Sequence, residues 1–298
     1  MKNKTLLLVV LFLIPIAIIS FEWIETNFNL PPDIQEIEVK LRLNEETNIT
    51  LPLEEYVLGV VAAEMPASFH EEALKAQAIA TRSFTLSKLN SDNIYEVTLG
   101  DQAYITKEEM QHKWQDEYNK YYKKIETAVN DTKNKVMTHD GKIITAFYFA
   151  MSNGYTENAI NVFKEEDYLK TVESTWEDEK INKFVVVSSI PKNEFCQKLD
   201  IDCSNIVITE IQKTDSNRIA SIKINNKTFS GTEFRKTLSL RSTDFSINLN
   251  KDIIEITTKG YGHGVGMSQY GANEMAKKNY TFDSILKHYY QGIEIITK

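Results

Sequence analysis

The sequence predicts an α+β protein: mixed helices and antiparallel sheet, a smaller inserted mainly-β subdomain, and one N-terminal transmembrane helix ahead of them. Three observations carry this expectation. Apolar residues recur at helical spacing over 53–65 and 71–89. Short alternating segments separated by turn residues cluster between 184 and 258, and such alternation marks half-buried strands. An apolar run from Thr5 to Phe21 carries no charge and follows Lys2 and Lys4.

In chain order, residues 1–24 read as a membrane anchor. Seventeen apolar residues reach about 26 Å as a helix, at the short end for a bilayer. The preceding lysines place the N-terminus in the cytoplasm, and Trp23 suits an interfacial position. A cleaved signal peptide is the alternative, although Ser20-Phe21-Glu22 is a poor cleavage site. Residues 25–35, with two prolines, read as a linker.

The core is expected over 36–173 and 243–298. Ile37 to Leu43 alternates as a strand, with 48–51 as its hairpin partner. Leu53, Tyr56, Val57, Val60, Val61 and Met65 recur at helical spacing, and Pro66 stops that helix. A second helix runs from Glu71 to about Leu89, with small residues at Ala73, Ala76, Ala78 and Ala80. Asp92 to Ile105 reads as irregular with a turn at Gly100-Asp101, and Lys107 to Thr132 as a polar surface helix or helix pair. Asp140-Gly141 between two strands signals a hairpin. Residues 174–242 form the expected insert: strands at 184–190, 206–212, 219–224 and 227–229, with helices at 191–199 and 231–240. Strands at 245–249 and 253–258 and helices at 271–278 and 282–289 complete the chain.

Composition narrows the function. The 298 residues carry a net charge of −8, with 42% hydrophobic and 26% charged residues. That balance lacks the basic face of a nucleic-acid binder, and no nucleic-acid partner is expected. Eleven glycines and six prolines exclude collagen-like and proline-rich architectures. Cys196 and Cys203 are open to a local disulfide or to two free thiols.

Glu64 stands first among residues that can carry chemistry. It ends an apolar helix, facing the negative end of the dipole, with apolar neighbours. Both effects raise a carboxyl pKa, which suits a general acid. The second element is Gly260-Tyr261-Gly262-His263-Gly264-Val265-Gly266, followed by Met267-Ser268-Gln269-Tyr270. Its alternating glycines permit unusual dihedrals, and its polar groups suit a sugar. The third is Ser152-Asn153-Gly154 at a strand end. No His pair shares a helix turn, so a metal site of that kind is not expected.

Together, these segments resemble the SpoIID/LytB domain family, that of stage II sporulation protein D. The residues that carry the resemblance are the run from Leu53 to Glu64-Met65-Pro66 and its continuation Glu72-Ala73-Leu74-Lys75-Ala76-Gln77-Ala78-Ile79-Ala80-Thr81-Arg82-Ser83-Phe84. Ser152 to Glu157, Gly260 to Ala272 and the ending Ile285-Leu286-Lys287-His288-Tyr289-Tyr290-Gln291-Gly292 extend it over about 50 to 295.

The resemblance implies a membrane-anchored lytic transglycosylase. Such an enzyme cuts between N-acetylmuramic acid and N-acetylglucosamine of peptidoglycan and leaves a 1,6-anhydro end. Glu64 is then the catalytic acid. Arg82, Gln102, Tyr104, Ser152, Asn153, Gly154, His263, Gly264, Ser268, Gln269 and Tyr270 are the candidates for lining the glycan groove. It also implies a preference for strands stripped of peptides by a partner amidase, stage II sporulation protein P. The implied location is the space between mother-cell and forespore membranes during engulfment. A non-catalytic glycan-binding activator of an amidase is the other reading that the family allows. Some relatives bind zinc at a His-Cys-Gln-x-Tyr segment. Here Gly100-Asp101-Gln102-Ala103-Tyr104 keeps only the Gln and Tyr, so no metal and no cofactor are expected.

Overall fold

Glu38–Arg42 forms a strand that pairs antiparallel with Asn48–Pro52 and parallel with Tyr95–Thr98. The computed structural model describes residues 37–90, 94–177 and 180–297. The anchor and linker expected over 1–35 lie outside the described residues. Among the described residues, no helix is long and apolar enough to cross a membrane.

The strand Tyr95–Thr98 was expected to be irregular. Its alternation covers only four residues, with Tyr95 and Val97 turned inward. So short a segment becomes a strand through the edge it pairs with rather than through its own pattern.

Helix α1, Leu53–Glu64, carries Glu54 and Glu55 in its first turn, where negative charge complements the dipole. It ends where Met65 becomes extended (φ −113°, ψ 142°), as a residue before proline is forced to do. Leu53, Tyr56, Val57, Gly59, Val60, Val61 and Ala62 are buried. Helix α2, Glu71–Leu86, is capped by the His70 ring, whose Nδ1 accepts from the Glu72 amide at 3.3 Å. It is buried on nearly every side, and its alanines let neighbouring elements approach closely. The polar stretch resolves into α3, Lys107–Trp114, a single 3₁₀ turn, and α4, Tyr118–Asp131. Thr106 and Glu109 form a reciprocal capping box at the start of α3.

The expected hairpin closes at Asp140 and Gly141, both with positive φ (49° and 73°), as a two-residue hairpin turn requires. Lys135–His139 also pairs with Glu294–Thr297, tying the end of the chain to the core. One continuous apolar cluster includes α1, α2, the first strands and Ile285, Leu286, Tyr289 and Tyr290.

A second cluster stands apart, centred on Phe195, Phe229, Phe234 and Phe245. It is enclosed by the sheets Ile208–Lys213, Ile219–Ile224, Lys227–Ser230 and Val185–Pro191, Phe245–Leu249, Ile253–Lys259. Two helices cover it, α5 (Lys192–Leu199) and α6 (Gly231–Thr237). Ile254 and Ile256 belong to this cluster, so in packing the second unit reaches past the boundary read at 242. Cys196 and Cys203 are joined as a disulfide on its edge. Two more helices, α7 (Gln269–Lys277) and α8 (Phe282–Tyr289), return the chain to the first cluster.

Candidate active site

Glu64 sits half-buried at the end of α1 and lines a cleft of about 450 Å³. Among the described residues it is the one carboxylate lining that cleft, beside Lys113, Lys183, Arg241, Tyr261 and Gln269. Oε1 accepts a hydrogen bond from the Ala103 amide at 2.8 Å. Burial raises the carboxyl pKa above its ordinary value, and hydrogen bonds from Ala103 and Gln269 pull partly the other way. The group therefore keeps its proton further up the pH scale than a surface glutamate while its direction is fixed.

The Ala103 loop reaches Glu64 because α1 carries glycine at position 59. A Cβ there would stand 2.2 Å from Cε2 of Tyr104 and 3.0 Å from the Ile105 carbonyl. Gln102 holds the same loop from inside. Its Oε1 accepts from Tyr56 and Thr85, both at 3.0 Å, and its Nε2 donates to the Tyr148 hydroxyl at 2.9 Å. Gln102 is 2% exposed. It therefore positions the loop and does not face the cleft as expected. Tyr104 stacks on Tyr56 (5.8 Å, 4°) and lines a separate cavity with Glu54, Glu55 and Lys107.

Arg82 is the largest correction. It is fully buried. Its Nε and Nη2 grip both oxygens of Glu54 at 2.8 and 2.7 Å, and Nη1 donates to the Lys135 carbonyl. A bidentate pair of this kind consumes the guanidinium, leaving nothing for a ligand.

The Ser152-Asn153-Gly154 turn is likewise displaced from the cleft, which its preceding residues Ala150 and Met151 line instead. Ser152 is buried, donating its amide to Glu177 (2.9 Å) and its hydroxyl to the Ser174 carbonyl (2.6 Å). Ser268 is buried against the same carboxylate and caps α7 by accepting from the Gly271 amide. Glu177, 4% exposed, thus gathers two expected ligand residues into a structural knot, and burial raises its pKa. Asn153 bridges the two units: Nδ2 donates to Ser216 and Asp244, and Oδ1 accepts from Arg218 at 2.7 Å. Gly154 pairs with Ser174 in a two-residue ladder outside the cleft.

Gly260, Gly262, Gly264 and Gly266 all have positive φ, between 73° and 111°, a region that favours glycine. Several of the segment's backbone amides are engaged within the protein. Those of Gly260, Tyr261, Gly262 and Met267 donate to Phe184, Met151, Arg241 and Phe147 carbonyls. The loop is a close backbone junction between the two units. Gly264 packs against the Arg218 guanidinium. His263 does not line the Glu64 cleft. Its ring lies among Phe147, Phe149 and Phe163, and Nδ1 accepts from the Val265 amide. Burial, with the charges of Arg235 and Arg218, lowers its pKa to about 4, so it is a neutral packing element.

Of the expected groove residues, Gln269 and Tyr270 meet Glu64 in the cleft. Tyr270 is held edge-on by Phe69 (4.9 Å). The sequence reading missed Lys113, Lys183, Arg241 and Tyr261 as cleft residues. Tyr261 lies within the glycine segment, and nothing local in the sequence marks its ring as exposed. The cations lie in unrelated segments and carry no local signal. Among the described residues, no group of three or more His, Cys, Asp and Glu side chains could hold a metal.

A family model described as "SpoIID: Stage II sporulation protein" matches residues 44–139, the part of the chain that holds Glu64 and the Ala103 loop. Stage II sporulation protein D of Bacillus subtilis is 44% identical over 256 residues, covering 82% of this chain and 74% of the relative. The chain belongs to the stage II sporulation protein D family. Its counterpart in Bacillus amyloliquefaciens is 40% identical, covering 89% of this chain and 80% of the relative. A more distant relative is named "Amidase enhancer" in Bacillus subtilis, 30% identical over 78% of this chain and 39% of the relative. Membership in this family supports a sporulation role related to the cell wall.

Proposed function

We propose that this member of the stage II sporulation protein D family is a lytic transglycosylase acting on peptidoglycan glycan strands through Glu64. One observation carries the reading: a single desolvated carboxyl, held by the Ala103 amide, lines a cleft with no second acid among the described residues. Hydrolytic glycosidases use two carboxylates, one to donate a proton and one to attack or to activate water. A single group suffices when no water enters. Protonated Glu64 gives its proton to the oxygen leaving toward N-acetylglucosamine as the muramic C1–O bond breaks. The resulting carboxylate takes the proton of the muramic C6 hydroxyl while that oxygen bonds to C1. The product pair is a free 4-hydroxyl end and a 1,6-anhydro end, and Glu64 is protonated again. Gln269 and Ala103 orient the carboxyl, and the exposed Tyr261 ring offers a face for a sugar.

The anchor over 1–24, the space between the two sporulation membranes and the amidase partner, stage II sporulation protein P, belong to the same proposal. The test uses full-length protein in detergent and peptide-stripped glycan. Wild type should release fragments lighter by one water than hydrolysis products, with no oxygen incorporated from labelled water. Glu64→Gln should bind the glycan and release none. Incorporated label would make the enzyme a hydrolase. Absence of product from both would leave a non-catalytic role, of the kind in the name of the amidase-enhancer relative.

A further inference from the structure

We propose that the second unit carries a carboxylate-reading subsite beside the Glu64 cleft, built from Arg235, Lys236 and Arg241, that grips free lactyl carboxylates of muramic acid. The proposal rests on the peptidoglycan reading of the cleft and extends it to residues outside the catalytic unit. A cavity of about 480 Å³ is lined by Thr232, Arg235, Lys236, Ser239, Arg241 and Tyr261 among others. It shares Arg241 and Tyr261 with the Glu64 cleft, so the two adjoin across that pair. Among the described residues, three cations line it and no carboxylate does. Among the described residues, the two cavities together present five cations and only Glu64 as an acid, in a chain whose net charge is −8.

These cations are not used up within the protein. Among the described residues, Arg235, Lys236 and Arg241 enter no ion pair with a carboxylate. Arg235 donates Nε to the Leu240 carbonyl, and Arg241 donates Nη2 to the Lys183 carbonyl at 3.5 Å. Nε of Arg241 is buried and reaches no partner. The dipole of α6 accounts for basic residues in its last turn. It does not account for Arg241, which lies beyond that helix and faces the same cavity.

The platform is rigid. The Arg241 guanidinium stacks 4.0 Å from the centre of the Tyr261 ring, which remains 44% exposed. The Gly262 amide donates to the Arg241 carbonyl at 2.9 Å, and the Ser242 hydroxyl donates to the Lys259 carbonyl. An aromatic face beside the held guanidinium groups of Arg235 and Arg241 suits a neutral sugar ring that bears a charged substituent. In glycan, that substituent is the lactyl group. It is a carboxylate when the stem peptide is gone and a neutral amide when the peptide is attached. Arg235 and Lys236 therefore make affinity depend on the state of the sugar a step away from the bond being cut.

The test measures binding by the full-length Glu64→Gln protein, so it does not depend on turnover. The probes are peptide-stripped strands, the same strands with lactyl groups amidated, and chitin oligosaccharides, which lack the group. Stripped strands are used before and after chemical removal of phosphodiester polymers. Lys236→Glu alters an exposed side chain and should fold normally; Arg235→Ala with Lys236→Ala is the stronger change. We expect each lost cation to weaken binding of stripped strands by roughly tenfold and to leave chitin and amidated strands unaffected. Removal of phosphodiesters should change nothing. Equal weakening for every probe, no weakening, or a dependence on phosphodiesters would each overturn the subsite. If discrimination is seen but wild type makes no anhydro product, the subsite stands and the lytic reading falls.

Discussion

The Ala103 amide donates to Oε1 of Glu64 across 2.8 Å, joining the loop after Tyr95–Thr98 to the end of α1. The bond fixes which way the carboxyl points. It also keeps the pKa from rising as far as burial alone would drive it. The acid role proposed for Glu64 needs both orientation and a retained proton, and these are supplied by different elements.

The first prediction concerns pH. In the proposed mechanism the active form is the protonated one, so cleavage should fall as pH rises through the raised pKa of Glu64. The stability effect has the matching sign. Charging the buried group opposes folding above its folded-state pKa, and below the unfolded value near 4.3 both states are protonated. Glu64→Gln should therefore gain thermal stability over wild type at pH 8 and lose that advantage at about pH 4. Its cleavage rate should drop by roughly 10²- to 10⁴-fold, the usual contribution of a general acid. Melting curves and product assays across pH check both; a wild-type rate that is flat to about pH 9 would contradict the role.

Gln102→Ala should cost about 2 to 4 kcal/mol, because the buried Tyr56 hydroxyl loses its acceptor and the Tyr148 hydroxyl its donor. Activity of the fraction that stays folded should fall as well, since the neighbouring Ala103 amide loses its support. Urea denaturation alongside rates corrected for folded protein separates the two effects.

Arg82→Met should destabilise by about 2 to 3 kcal/mol. The Arg82–Glu54 pair is buried on the arginine side, while the glutamate is 21% exposed and water lessens the loss. Glycan affinity per folded molecule should be unchanged. A selective loss of affinity in calorimetric titration would return Arg82 to the groove.

Breaking the Cys196–Cys203 bond by Cys203→Ser should cost about 2 kcal/mol, since the bridge closes a short loop with a separation of seven residues. The loss should be confined to the second unit. Hydrogen exchange should rise over 190–256 and stay unchanged in α1 and α2.

The sequence by itself determined the helix Leu53–Glu64, its stop before Pro66, and the apolar seat that raises the Glu64 pKa. It also determined the hairpin at Asp140-Gly141 and most strands of the second unit. Each follows from spacing or from the dihedral limits of one or two residues. Tertiary structure alone decided which polar residues face the cleft. Arg82, Ser152 and Ser268 look like ligand groups in the chain, yet Glu54 and Glu177 draw them inside. A polar group can be buried only if another element brings a partner to it, and local sequence does not say where that partner is. The cleft cations Lys113, Lys183 and Arg241 come from three separate segments. They become a site only when the glycine junction holds the two units together.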